Sequence, residues 1–195
     1  FAIPFSAMHR YVRNDSIKMN KYITPINRHK DNFDNKNGEL LPAFIKWDSK
    51  KKDYIEINPE ENNEENISEK SCGDNWSDDL DKADKKIIEK YFKSFEHLKT
   101  KIGFLNFQIG KSEMNIKISD KEEGISFSSP RNSFMYAINN QIFDDLLIGN
   151  FMKVELIGLR SLYPDFTPYV TKYADNGGAK TNQELKDYFE FYKIN

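Results

Sequence analysis

One stretch limits what this chain can fold into more than any other: residues 130–158, PRNSFMYAINNQIFDDLLIGNFMKVELIG. It is the longest region with an apolar pattern and few charges. Ser129 followed by Pro130 predicts a helix start. Ser129 is the expected cap, and proline sits at the first position, where its missing N–H costs nothing. Phe134, Met135, Ile138 and Ile142 then recur at helical spacing. Asp144 or Asp145 is the expected cap of a second short helix through Leu146, Leu147 and Ile148, stopped by Gly149. Phe151–Ile157 reads as a strand with Met152, Val154 and Leu156 on one side. The stretch specifies a packing spine and contains no catalytic set.

The preceding residues supply partners for that spine. Residues 81–100 predict one helix, with Ile87, Ile88, Tyr91, Phe92, Phe95 and Leu98 on its stripe. Asp81 is its expected cap, with Asp84 in the first turn and lysines near the end, as the helix dipole favours. Residues 102–109, 113–119 and 125–128 alternate as three strands joined by tight turns, which predicts an antiparallel meander with one wet face. After the spine, Thr181 and Glu184 have capping-box spacing and open a last helix with Leu185, Tyr188, Phe189 and Tyr192 on one face. Tyr163, Phe166, Tyr169 and Tyr173 are expected to pack on the core. The fold class is therefore α+β.

The first part of the chain is less regular. Phe1–Phe5 reads as a buried strand broken by Pro4. Residues 40–47 form a second apolar patch, and residues 53–57 alternate as a short strand. Residues 56–79 read as a loop, with Asp74, Asp78, Asp79 and Asp81 as a solvated acidic run around Trp76. The chain starts without an initiator Met and without the basic, apolar and small-residue pattern of a signal peptide. It therefore reads as the C-terminal portion of a longer protein. The single cysteine, Cys72, excludes an internal disulfide and points to a reducing, cytoplasmic setting. A net charge of −2 argues against a nucleic-acid binder. No apolar run is long enough to span a bilayer.

Few residues carry chemistry. Gly110-Lys111-Ser112 lacks the earlier glycine of a phosphate loop and joins two strands, so it is a hairpin turn. The three histidines, His9, His29 and His97, show no metal-ligand spacing. His97 is expected to pack beside the helix stripe and His29 to be solvated. His9 directly follows an expected strand, and strand-end loops are where ligands and catalytic groups are placed. Arg10 and Arg13 follow it. Arginine suits bidentate recognition of an anion, and a surface pair with Asp15 is the alternative. Asp144 and Asp145 are adjacent on a helix and do not face one another, so they read as caps.

Two stretches carry a resemblance. FAIPFSAMHRYVRNDS resembles the segment closing the catalytic domain of metallo-β-lactamase-fold proteins in the group related to CMP-N-acetylneuraminate hydroxylase. IFDDLLIGNFMKVEL resembles a late segment of the same group. Together with TPYVTKYADNGG it is similar to bacterial members of unknown activity. The resemblance implies that residues 1–25 end a metallo-β-lactamase-like catalytic domain, that 26–80 connect, and that 81–195 form a C-terminal α+β subdomain. It implies a metal-dependent hydrolase or a related oxygenase holding zinc or iron through an H-x-H-x-D-H motif that is absent here. On that reading this fragment alone is inactive. His9 would be a late metal ligand, and Arg10 and Arg13 would contact a small anionic substrate. A Rieske cluster, as in the hydroxylase, is beyond what Cys72 alone can hold. The order of strands and helices over 102–158 also resembles sterol-carrier-type domains. That gives a second reading, a binding module with an apolar or lipid-like ligand between sheet and helix pair. A third is a structural domain or homo-oligomer interface.

Overall fold

The computed structural model describes residues 1–3, 10–24, 28, 31, 33–34, 36, 38–57, 65–171 and 179–194. The chain divides into two compact units, Phe1–Ser68 and Glu69–Asn195, and the architecture is mixed α+β.

The first unit contains a hairpin. β1 (Ile45–Asp48) pairs antiparallel with β2 (Asp53–Glu56), and Trp47 stands opposite Tyr54. The Asp48 carboxylate shapes the turn by accepting the backbone N–H groups of Lys50 and Lys51 at 2.9 and 3.2 Å. The strand expected at residues 1–5 is not buried over its described part: Phe1 is 70% exposed and Ile3 46%. Ala2 makes an isolated parallel bridge to Leu40 and, among the described residues, joins no sheet. The Phe1 ring packs on Trp47 instead, with centroids 4.9 Å apart.

The second unit opens with α1 (Lys82–Lys93). Asp81 caps it as the sequence predicts, its carboxylate accepting from Ala83 N and Asp84 N while the Asp84 side chain accepts from Asp81 N. The helix is shorter than expected. Ser94 Oγ donates to the Tyr91 carbonyl at 2.6 Å, and the chain continues as a 3-10 turn over Glu96–Thr100. Phe95 and Leu98 are both buried across the bend, as their place on the predicted stripe requires.

Strands β3 (Phe104–Ile109), β4 (Ser112–Lys117), β5 (Gly124–Ser128) and β6 (Lys153–Ile157) form a sheet in the order β4-β3-β5-β6. The expected wet face is present, since β3 alternates between half-buried and buried positions along its length. The expected meander is not. β4 is antiparallel to β3, but β5 crosses to the other side of β3 and pairs with it in parallel. The crossing loop runs over the start of β3. Ile118 N and Ser119 N both donate to the Gly103 carbonyl, Gly103 N donates to Glu123 O, and Ser119 Oγ donates to Ile102 O. A Cβ on Gly103 would overlap the Lys121 backbone carbonyl. Glycine is what lets the loop pass that close.

α2 (Arg131–Asn140) and α3 (Asp145–Ile148) cover the apolar face of the sheet. Pro130, not Ser129, occupies the cap position of α2, and Ser129 is buried. α2 ends at Gln141 in the left-handed conformation, with Ile142 N donating to Ala137 O at 2.9 Å. α3 begins without a side-chain cap bond from Asp144, contrary to expectation. α4 (Thr167–Val170) and α5 (Asn182–Ile194) complete the unit. The capping box on α5 is present: Glu184 N donates to Thr181 Oγ1 and Thr181 N to Glu184 Oε2. Phe166 is buried and Tyr169 packs on the core, but Tyr163 is 70% exposed. Tyr173 lies outside the described residues, as does the side chain of Tyr192.

The layer between sheet and helices is filled by phenylalanine rings. Phe107 meets Phe92, Phe127 and Phe134 at centroid distances of 5.0, 5.8 and 5.2 Å. Phe143 meets Phe92, Phe127, Phe134 and Phe166 edge-on at 5.1 to 6.1 Å. Edge-to-face pairs of this kind add to the burial term.

The crossing loop makes a sharp demand on the sequence. Gly103→Ala is expected to destabilise the chain by about 3 kcal/mol or more, because the clash is with backbone. Gly38→Ala, where an added Cβ meets nothing within 4 Å, stays within about 0.5 kcal/mol. Urea unfolding of both variants measures the difference.

Candidate functional site

The segment Cys72–Asp84 joins the two ends of the second unit's helical layer, and its acidic residues do the joining. Asp74 is 1% exposed, not solvated as its setting in sequence suggests. Its carboxylate accepts Ser133 N at 2.8 Å and Ser133 Oγ at 2.5 Å. It therefore caps α2 from 59 residues away, replacing the local cap that Pro130 lacks. Asn132 Nδ2 donates to the Gly73 carbonyl, adding a second tie at the same point.

Asp84 is the counterpart on α1. It is buried, closes the capping box, and receives Arg131 Nε at 2.7 Å. Arg131 NH2 also stands 3.8 Å from Asp81. The guanidinium is held above its ordinary pKa, first by its hydrogen bond to Asp84. The Asp81 carboxyl is held below the usual carboxylate range, first by the Asp84 backbone N–H, with desolvation opposing and the Ala83 N–H and Arg131 assisting. Further along, Asp79 accepts Lys111 N at 2.5 Å, and Asp79 Oδ1 and the Asp78 carbonyl occupy the space that a Cβ on Gly110, whose φ is +60°, would need. The Gly-Lys-Ser triplet is thus the β3–β4 turn, as expected from the sequence.

These ties shape a groove beside α2 with a volume of about 530 Å³. Its floor is apolar: Ala137 and Leu146 are buried and Ile142 packs against the core. Its rim is polar, with Cys72, Asn132, Tyr136 and Asp145 at the edge. Tyr136 is 66% exposed and Cys72 is an exposed free thiol. Among the described residues no histidine lines the groove beside Cys72. Among the described residues, no three His, Cys, Asp or Glu side chains are grouped to hold a metal ion. The arrangement can bind through apolar contact and hydrogen bonds.

The candidate site residues His9, Arg10 and Arg13 belong to the first unit. His9 and His29 fall outside the described residues. Arg10 is exposed. Arg13 engages Asp15 through two bonds, Nε to Oδ1 at 2.8 Å and NH2 to Oδ2 at 3.0 Å. His97 is half-buried with its ring 5.8 Å from Tyr169, packed as expected. The groove residues escaped sequence reading because three separate segments supply them and no motif links those segments. The position of Asp145 at a helix start suggests a cap and hides its place on the groove rim.

No family model, curated protein or solved structure matches the chain. Among the described residues no helix is long and apolar enough to cross a membrane.

Two outcomes follow from the ties. Asp74→Ala removes the acceptor of both Ser133 N and Ser133 Oγ in the first turn of α2 and is expected to cost about 2 kcal/mol in denaturant unfolding. The lowered Asp81 pKa gives a sign for pH. Its contribution is fully present above the ordinary aspartate value of about 3.9 and disappears as pH falls through the lower folded value. Asp81→Asn should therefore flatten the acid limb of a stability-versus-pH curve and leave the limb above neutrality unchanged.

Proposed function

We propose that residues 69–195 form a non-catalytic binding module whose groove beside α2 takes a small amphipathic ligand. The observation that supports this most is the groove itself, an apolar floor of Ala137, Ile142 and Leu146 under a polar rim, about 530 Å³ in volume. That size and that division of surface are what small-ligand sites have. The apolar body of the ligand lies on the floor. Its polar end meets the Asp145 carboxylate and the Asn132 amide, and Tyr136 offers an aromatic face. A cationic or hydrogen-bond-donating end suits Asp145 best. An apolar ligand between sheet and helices is disfavoured, because phenylalanine rings fill that layer.

A second reading is supported by the sequence resemblance at residues 1–16 and 142–156. It is a metal-dependent, metallo-β-lactamase-fold hydrolase holding zinc or iron. This chain would contribute the His9 turn, with Arg10 and Arg13 toward an anionic substrate. Bound metal measured on the purified protein with and without His9→Ala tests it. Equal metal content in the two removes His9 from the site.

For the groove, ligand-observed NMR with a fragment library on the full chain is the direct test. Amphipathic amines are expected among the hits. Tyr136→Ala and Asp145→Ala should each weaken them about tenfold, or ~1.4 kcal/mol. Hits that neither substitution affects would place binding elsewhere.

A further inference from the structure

The sheet has a second face that the core does not use. Residues paired across neighbouring strands point the same way, so Asn115, Asn106 and Ser126 form one rung on this face. Gln108 and Glu113, paired with each other, stand one rung along. Together these five line a depression of about 470 Å³. It is separate from the groove beside α2 and shares no residue with it.

The amides here are fixed in orientation. Asn115 Nδ2 donates to Asn106 Oδ1 at 2.6 Å, and Gln108 Nε2 donates to the Gly110 carbonyl at 3.1 Å. Those bonds decide what each amide presents outward. Asn106 offers its NH2 group, and Asn115 and Gln108 offer carbonyl oxygens. Ser126 adds a hydroxyl that both donates and accepts. Donors and acceptors therefore alternate over a grid of about 4.8 Å between strands and roughly 6.7 Å along them. A ring carrying hydroxyls on successive carbons can bridge such a grid, each hydroxyl donating to one group and accepting from another.

Two further features narrow the ligand. The centre of the face is uncharged, and its edges carry both signs, Glu113 and Lys117 on β4 and Lys153 and Glu155 on β6, which favours neither an anion nor a cation. At the next rung Gly124 faces Phe104, whose ring atoms occupy the space a Cβ would take. The ring thus lies along the sheet and gives the polar grid one apolar border, against which the C–H side of a sugar can rest.

We propose that this face binds a neutral polyhydroxylated ligand, a saccharide, through Asn106, Gln108, Asn115 and Ser126. The test is ¹⁵N-resolved NMR of the full chain titrated with glucose, N-acetylglucosamine and the β1,4-linked oligomers of each. The expected result is a saturable shift of the side-chain amide signals of Asn106, Asn115 and Gln108 with at least one probe, growing with oligomer length. Asn115→Ala lies on an exposed edge position and should leave the fold intact. Gln108→Ala serves as an independent second variant. Each should weaken the shift at least fivefold, while amide signals of the α2 groove stay put. Unmoved amide signals with every probe would overturn the proposal, as would shifts that persist in both variants or that appear only in the α2 groove.

Discussion

Two buried carboxylates, Asp74 and Asp84, organise the second unit. Each caps or helps cap a helix start, and each also binds a side chain on α2: Asp74 holds Ser133 and Asp84 holds Arg131. Helix starts leave N–H groups without intrahelical partners, and a buried start must find them elsewhere. Here the partners come from one segment, residues 72–84, which therefore fixes where α1 and α2 begin relative to each other. A buried carboxylate is costly unless satisfied, so the same bonds that position the helices also make the carboxylates tolerable.

That constraint sets what the layers beneath can be. With the helix starts fixed, α1, α2 and α3 lie over one face of the sheet at a spacing that six phenylalanine rings fill. The sheet in turn depends on Gly103, which lets the β4–β5 loop cross the start of β3. The parallel pairing of β3 and β5 puts the two most buried strands at the centre and leaves β4 and β6 at the edges. Those edges carry Glu113, Lys117, Lys153 and Glu155, charges of the kind that discourage pairing with another chain. The interior is filled, and the groove beside α2 and the polar sheet face are two chemically different depressions on the surface.

Much of this was legible in the sequence where the interacting residues are neighbours. The capping boxes at Asp81/Asp84 and Thr181/Glu184, the Gly110 turn and the alternation of β3 all involve residues within a few positions of each other. Periodicity also told which face of β3 and β4 is wet, but it failed at β6, where Val154, expected on the apolar side, is exposed. It could not tell which strand lies beside which, because alternation specifies a face and not a neighbour, so the meander was expected where the chain crosses over. The burial of Asp74 was hidden for a related reason. Its partner is 59 residues away, and a run of aspartates ordinarily reads as solvated. The groove was illegible because three segments line it, none with a recognisable pattern. His9, the residue the sequence favoured for chemistry, lies outside the described residues, and its neighbour Arg13 is engaged by Asp15.

The joint between α1 and α2 is the claim on which everything else stands. A double-mutant cycle of Asp84→Ala and Arg131→Ala, read by urea unfolding, tests it most directly. The account predicts a coupling of about 1 kcal/mol or more, since Asp84 is buried and Arg131→Ala leaves its carboxylate with less to neutralise it. Additive effects within roughly 0.3 kcal/mol would contradict it and make the contact an ordinary surface pair.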